Sequence, residues 1–189
     1  MKRRSFFTAL FAILLPAFAL AQVPVATPTP NPMVYDDPGM HFAAPAGWIP
    51  IGQRHVPVKQ LGQDPMTVAG WVTRGHGHPK QLIIQQQYYT DDLDGFDGVY
   101  EQQLRTQFQG AFFKNKQHFT LSNGMPAYFV EMTAGEGFSI TKAYICIWID
   151  GTRGVSLVMA AHLGDIDADT AKAIFKTASA TRYPIGRDE

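Results

Sequence analysis

The segment from residue 143 to residue 149 constrains the fold of this chain more than any other, because apolar side chains occupy both of its alternating sets. One set contains Ala143, Ile145, Ile147 and Ile149, and the other contains Tyr144, Cys146 and Trp148. Successive side chains of a β-strand point to opposite faces of the sheet, and a strand that is apolar on both faces is buried on both. The sequence therefore predicts a sheet with a covering layer on each side.

Two segments have the periodicity of helices that would supply those layers. Between Asp94 and Ala111, apolar residues recur at three- and four-residue steps, as in an amphipathic helix. Its apolar stripe consists of Phe96, Val99, Tyr100, Leu104, Phe108, Ala111 and Phe112. A second helix is predicted from Asp165 to Ala180, with acidic residues enriched in its first turn. The predicted fold class is α+β: a three-layer α/β/α sandwich around a mostly antiparallel sheet.

Tight-turn dipeptides join the strands of the C-terminal half. Asn123-Gly124 and Asp150-Gly151 are pairs that two-residue hairpin turns favour. They predict a C-terminal β-meander with strands at 118–121, 125–133, 138–149 and 152–161, followed by the terminal helix. Further β-rich runs lie upstream at 34–35, 40–43, 54–59, 66–73 and 81–89. In the last run, Gln81, Gln85, Gln86 and Gln87 are interpreted as a polar face of the strand.

The N-terminus has the features of an export signal. Lys2, Arg3 and Arg4 precede an apolar run over residues 6–15, and Ala19-Leu20-Ala21 places small residues where signal peptidase cleaves. The run is shorter than the ~20 apolar residues of a spanning helix, which disfavours the alternative of a membrane anchor. We therefore predict a signal peptide over 1–21, cleavage after Ala21, and a periplasmic or secreted protein without a membrane span.

Proline content predicts the domain organisation. Four prolines fall within residues 22–33, and each restricts its own φ and the conformation of the preceding residue. Residues 22–33 are therefore a predicted semi-rigid linker, with a proline-rich ligand for a partner domain as the alternative. Residues 34–189 contain no second linker and no internal repeat, which predicts a single α/β domain.

Composition excludes several classes of protein. The chain of 189 residues has 16 basic and 16 acidic residues, so it lacks the basic excess typical of nucleic-acid binders. Residues 1–21 hold three basic and no acidic residues, so the charge becomes −3 after cleavage. The single cysteine, Cys146, excludes a disulfide framework and a four-cysteine zinc site. Its position in the doubly buried strand predicts an inert thiol.

The sharpest local candidate for a site is the loop that contains His76 and His78. Two imidazoles two residues apart on a glycine loop can chelate copper, zinc or nickel, although a stable site needs further ligands. Arg74 lies in the same loop, and Trp48 follows a Pro-Ala-Gly corner where a partly exposed indole is expected. These four residues are the predicted ligand-binding site, and the two histidines are the predicted transition-metal site. The alternative is a hairpin loop that carries exposed histidines.

An acidic stretch at residues 90–101 is spaced partly like a calcium-binding loop, but helix capping explains it more simply. Asp92, Asp94 and Glu101 are correctly spaced from Gly95 for such a loop, but Thr90 stands where its first acidic ligand belongs. Capping of the following helix accounts for the same carboxylates. The serines and the cysteine lie outside recognisable nucleophile motifs, so no catalytic residue is predicted. A hydrolase with dispersed residues is left as a minor alternative.

The start of the predicted domain resembles a known family. Tyr35-Asp36-Asp37-Pro38-Gly39-Met40-His41-Phe42, followed by Pro45-Ala46-Gly47-Trp48, is similar to the opening of PsbP-like domains. The order of strands, helix, long meander and final helix over residues 34–183 is similar too. The resemblance implies a small α/β/α module that exported bacterial members use as an accessory or binding protein, with no shared catalytic set.

The function predicted from these observations is an exported, non-enzymatic binding or assembly-accessory module of the cell envelope. Its partner is expected to be an envelope protein or a small ligand, and no cofactor is required. The alternative is a periplasmic metal-binding or metal-dependent protein that uses His76 and His78.

Overall fold

The computed structural model describes residues 31–74, 78–135 and 140–182. In these residues the chain has an α+β fold that combines a mostly antiparallel sheet with two helices. The strands are β1 (Val34–Asp37), β2 (Met40–Ala43), β3 (Trp48–Gln53), β4 (Met66–Thr73), β5 (Gln81–Tyr88), β6 (Phe112–Thr120), β7 (Pro126–Ala134), β8 (Thr141–Ile149), β9 (Arg153–His162) and β10 (Ser179–Ala180). The helices are α1 (Leu93–Gln107) and α2 (Ala168–Phe175), and a 3₁₀ helix spans Val58–Gln60.

The main sheet contains seven strands in the order β3-β4-β5-β9-β8-β7-β6, and all neighbouring pairs are antiparallel. The two predicted turns connect β6 to β7 and β8 to β9. Gly124 and Gly151 adopt φ values of 89° and 114° in these turns. A side chain with a Cβ is strained in this region, so glycine favours the turn at both places.

The two faces of β8 are both buried, as its alternating composition predicts. Tyr144, Cys146 and Trp148 belong to one core cluster, which also contains Phe175 of α2 and Phe42 of β2. Ala143, Ile145 and Ile147 belong to a second cluster, which contains Phe96, Tyr100 and Leu104 of α1. Helix α1 therefore packs on one face of the sheet. Helix α2 shares the other face with a three-stranded sheet, β1-β2-β10. Burial raises the pKa of the Cys146 thiol, which is consistent with the inert role predicted for it.

The predicted strand at 54–59 is wrong. Strand β3 lies earlier, at Trp48–Gln53, and residues 58–60 form the 3₁₀ helix. Because β3 is an edge of the seven-stranded sheet, it tolerates Pro50, which cannot donate to a ladder.

Both helices are shorter at their C-termini than predicted. Helix α1 ends at Gln107 because the chain turns into β6 at Phe112. Helix α2 ends at Phe175, because Ser179 and Ala180 pair with His41 and Met40 of β2. No helix within the described ranges has the length and apolar content needed to cross a bilayer.

The predicted signal peptide and most of the predicted linker lie outside the described residues. The last part of that linker contacts the domain: the Pro32 carbonyl accepts hydrogen bonds from Trp71 Nε1 at 3.0 Å and Gln53 Nε2 at 2.7 Å.

Candidate functional site

Three consecutive glutamines near the end of β5 are buried, and they define the candidate site by contrast with one another. Gln85, Gln86 and Gln87 are 7%, 0% and 1% exposed and Gln81 is buried too, so the interpretation of these glutamines as a polar face of the strand is wrong. Strand β5 lies inside the sheet between β4 and β9, and both of its faces are covered. Each buried carboxamide therefore needs a hydrogen-bond partner from the protein or from a ligand.

Gln85 finds its partner on helix α1. Its Oε1 accepts a hydrogen bond from the Tyr100 hydroxyl at 2.7 Å, and Ser156 Oγ donates to Tyr100 Oη at 2.9 Å. Burial raises the pKa of Tyr100, so the phenol stays protonated at neutral pH. This cluster fixes α1 on the sheet and is structural.

Gln86 points to the opposite face and joins an ion network. Its Nε2 donates to Asp37 Oδ2 at 2.9 Å and to Tyr35 Oη at 3.2 Å. Arg153, which is 0% exposed, binds Asp37 through two hydrogen bonds of 2.9 and 3.1 Å. Its guanidinium also pairs with Asp150, with Nε 2.8 Å from Oδ2. The network therefore ties the β1–β2 hairpin to the turn between β8 and β9.

The two carboxylates of this network respond differently to their surroundings. Burial acts to raise the pKa of Asp37, but hydrogen bonds from Arg153 and Gln86 outweigh it and the pKa is lowered. Burial raises the pKa of Asp150 to about 6 against the opposing hydrogen bonds from Arg153. The Arg153 guanidinium thus binds two carboxyl groups, Asp37 and Asp150, whose pKa values are shifted in opposite directions. The network stabilises the fold and does not present a reactive group.

Gln87 Oε1, like Gln86 Oε1, is buried and receives no hydrogen bond within the described part of the chain, but Gln87 differs from both of its neighbours because it borders a cleft. The residue lines a cleft of about 320 Å³ between the end of β5, the β5–α1 loop and α1. The lining residues are Gln63, Gln87, Tyr88, Tyr89, Thr90, Asp91, Val99 and Gln103.

A second carboxamide in the cleft repeats this arrangement. Gln103 Nε2 donates to the Gln63 carbonyl at 2.7 Å, while Gln103 Oε1 is buried and receives no hydrogen bond from any described residue. Two of the residues that line the cleft therefore carry buried acceptor oxygens that the described residues leave unsatisfied. Each costs about 1–3 kcal/mol relative to a satisfied acceptor.

Apolar surface accompanies these carboxamides. Tyr88 is 45% exposed and Val99 is 41% exposed, although the sequence placed Val99 in the core-facing stripe of the helix. That assignment is wrong, because the stripe that packs on the sheet is narrower and contains Phe96, Tyr100 and Leu104. Val99 instead forms part of the cleft.

The β5–α1 loop is held in place by local contacts. Tyr88 N donates to the Gly62 carbonyl at 2.8 Å, and the rings of Tyr89 and Phe96 lie 5.2 Å apart. The Tyr89 hydroxyl lies against Gly95, where a Cβ would collide with it.

Burial raises the pKa of Tyr89, and Asp91 and Asp92 add to the effect. The rim is therefore acidic.

The predicted site residues lie at the other end of β5. Trp48 is half-buried at the start of β3, and Arg74 is exposed immediately after β4. His78 precedes β5 and stacks on His162, with ring centroids 4.6 Å apart and planes inclined by 22°. His76 lies outside the described residues.

The contact between His78 and His162 does not itself form a metal site. An imidazole binds a metal through a lone pair in its ring plane, so two nearly parallel stacked rings do not direct lone pairs at one ion. Within residues 31–74, 78–135 and 140–182, no three His, Cys, Asp or Glu side chains are grouped to hold a metal. Binding of a transition metal by His76 and His78 stays a prediction.

The acidic stretch before α1 caps the helix. Asp92 is the N-cap, and its Oδ1 accepts from the Gly95 amide at 2.7 Å. Asp94 Oδ1 accepts from the Tyr128 hydroxyl at 2.5 Å, and Asp97 pairs with Lys116. Asp92 and Asp94 accept hydrogen bonds from different groups, and Lys116 pairs with both Asp94 and Asp97, which favours the capping interpretation over a calcium loop.

The fold resembles that of solved proteins. No family model matches the chain, and no curated protein matches its sequence. Among solved structures, the chain is similar to LpqN, described as involved in cell envelope biogenesis of Mycobacterium tuberculosis. The TM-score is 0.51 at 17% sequence identity, over 77% of this chain and 86% of LpqN. At this identity the likeness concerns the fold.

Proposed function

We propose that the chain is an exported, non-enzymatic binding or accessory module of the cell envelope, and that the cleft beside Gln87 is its ligand site. The observation that carries the proposal is the coincidence at Gln87 of a buried carboxamide oxygen without a partner in the described residues and a place among the residues that line an open cleft. Neighbouring Gln85 and Gln86 both make side-chain hydrogen bonds within the protein, and Gln86, whose Oε1 is a further buried acceptor without a partner in the described residues, does not line the cleft. A ligand that donates a hydrogen bond to Gln87 Oε1 removes the free-energy cost of a buried acceptor without a partner, which the unliganded protein bears.

The chemistry of the cleft supports binding rather than catalysis. Its polar side chains are three glutamines, two tyrosines, one threonine and one aspartate. Carboxamides neither titrate nor attack electrophiles at neutral pH. They recognise polar ligands by fixed donors and acceptors, as small-molecule sites generally do.

Two observations support a location in the envelope. Residues 1–21 have the composition of a cleavable export signal. The fold is similar to LpqN, which is described as involved in cell envelope biogenesis. A three-layer, PsbP-like architecture belongs to the same proposal, because α1 and α2 pack on opposite faces of the sheet.

Export is tested by expressing the full chain in a bacterial host and fractionating the cells. We expect a processed protein that begins at Gln22 in the periplasmic or secreted fraction. A full-length protein confined to the cytoplasm would contradict the proposal.

Binding is tested by co-sedimentation of the processed protein with insoluble bacterial cell-wall material. We expect the wild type to co-sediment and Gln87→Met to do so at least tenfold more weakly. Gln117→Met is the matched control, because Gln117 is exposed on the edge strand β6 and lies outside the cleft. Equal binding by all three proteins, or by none, would refute the assignment of the cleft.

A further inference from the structure

The lining of the cleft excludes some ligand classes and favours others. None of the described residues that line it is basic, and Asp91 and the neighbouring Asp92 place negative charge at its rim. An anionic ligand would meet repulsion without a compensating cation. An ammonium group would lose its hydration to reach two buried neutral oxygens, which is costly for a full charge. A neutral polar ligand fits the cleft best.

The two carboxamides specify that ligand further. Gln87 Oε1 and Gln103 Oε1 each need a donor, and the Gln87 amide group also offers N–H donors. A secondary amide supplies an N–H and a C=O together, so it can satisfy both functions of one glutamine side chain. The terminal torsion of glutamine is broad, so a modest rotation suffices to present the buried oxygen to the ligand.

Val99 and Tyr88 distinguish an acetamido group from a plain hydroxyl. Val99 is 41% exposed and lines the cleft, so its methyl groups offer apolar surface that can shield an acetyl methyl from water. Tyr88 is 45% exposed and supplies aromatic surface on which the apolar face of a pyranose ring can lie. The volume of about 320 Å³ falls within the range of small-molecule sites.

We propose that the cleft binds an N-acetylated amino sugar, with the acetamido group between Gln87, Gln103 and Val99 and the sugar ring against Tyr88. This inference rests on the proposed function and names its ligand class. According to this inference, the cleft recognises the acetamido group of the sugar and not its hydroxyl groups alone.

The inference is tested by NMR titration of the ¹⁵N-labelled processed protein with three trisaccharides: tri-N-acetylchitotriose, its de-N-acetylated counterpart and cellotriose. We expect the acetylated sugar to bind at least tenfold more tightly than the other two. It should shift the side-chain amide signals of Gln87 and Gln103, which adventitious surface binding would leave unchanged. Gln87→Met should weaken binding at least tenfold, whereas Gln117→Met should bind as the wild type does.

Two outcomes would overturn the inference, and they differ from failure of the proposed function. Equal or tighter binding of the deacetylated trisaccharide or cellotriose refutes the acetamido assignment. Absence of binding by all three sugars, combined with cell-wall co-sedimentation that depends on Gln87, refutes the ligand class and leaves the proposed function standing. Absence of binding by all three sugars, combined with co-sedimentation that does not depend on Gln87, refutes both the ligand class and the proposed function of the cleft.

Discussion

Gln86 and Gln87 are adjacent on one strand, yet Gln86 belongs to a buried hydrogen-bond network and Gln87 borders a cleft. Gln86 is enclosed by Tyr35 and Asp37 in a network whose arginine is fully buried. Gln87 is almost as buried, and although neither glutamine has a described partner for its oxygen, only Gln87 lines the cleft. Proteins retain few unsatisfied buried acceptors. The comparison therefore separates a glutamine whose amide group is bound within the protein from a glutamine that borders an open cleft.

The largest effect is expected at Arg153, which holds together the network that Gln86 joins through Asp37. Arg153→Met leaves Asp37 and Asp150 buried without their common cation, and we expect it to lower the free energy of unfolding by about 3–5 kcal/mol. Urea denaturation followed by circular dichroism measures this loss. Arg105→Met is the control, because Arg105 pairs with Glu101 on the surface of α1 and should cost less than about 1 kcal/mol. Similar small losses for both variants would show that the buried network is dispensable.

A smaller loss is expected at Gln85, on the same face of the sheet as Gln87. Gln85→Met removes the acceptor of the Tyr100 hydroxyl and should cost about 1–3 kcal/mol. Tyr100→Phe should recover part of that loss in the double variant, because it removes the group left without an acceptor. Strict additivity of the two substitutions in a double-mutant cycle would argue against the contact.

The raised pKa of Asp150 predicts a pH dependence of stability. Its folded-state pKa of about 6 lies above the usual value for an aspartate, so the folded protein binds a proton first as the pH falls. The stabilising contribution is complete below about pH 4 and is lost as the pH rises through 6. Relative to Asp150→Asn, the wild type should therefore gain about 1–2 kcal/mol between pH 7.5 and pH 4.5. If the wild type instead loses stability relative to Asp150→Asn as the pH falls from 7.5 to 4.5, Arg153 holds the Asp150 carboxyl ionised.

Local signals in the sequence predicted much of the fold. The hairpins at Asn123-Gly124 and Asp150-Gly151 and the double burial of β8 depend on neighbouring residues alone, and they are confirmed. The early end of α2 depends on pairing between residues 179–180 and β2, far away in the chain, and periodicity carries no trace of it.

The candidate site could not be predicted from the sequence, because it too depends on contacts between distant parts of the chain. Glutamines in a strand are typical of an exposed face, and only the covering by α1 and by the β1–β2 hairpin reveals that Gln85, Gln86 and Gln87 are buried. Val99 fits the helical period of the core stripe, and its position beside the cleft depends on how α1 is rotated on the sheet. The run Gln-Gln-Gln-Tyr-Tyr, three residues before the start of α1, was the one available signal.

The most direct test of the contrast is the free energy of unfolding of Gln86→Met and Gln87→Met, measured side by side without ligand. Gln86→Met deprives Asp37 and Tyr35 of a donor and should lose about 1–3 kcal/mol. Gln87→Met removes an unsatisfied carboxamide and should be as stable as the wild type or more stable, by up to about 1 kcal/mol. A loss of 1 kcal/mol or more in Gln87→Met would contradict the account, because it would make Gln87 a structural residue like its neighbour.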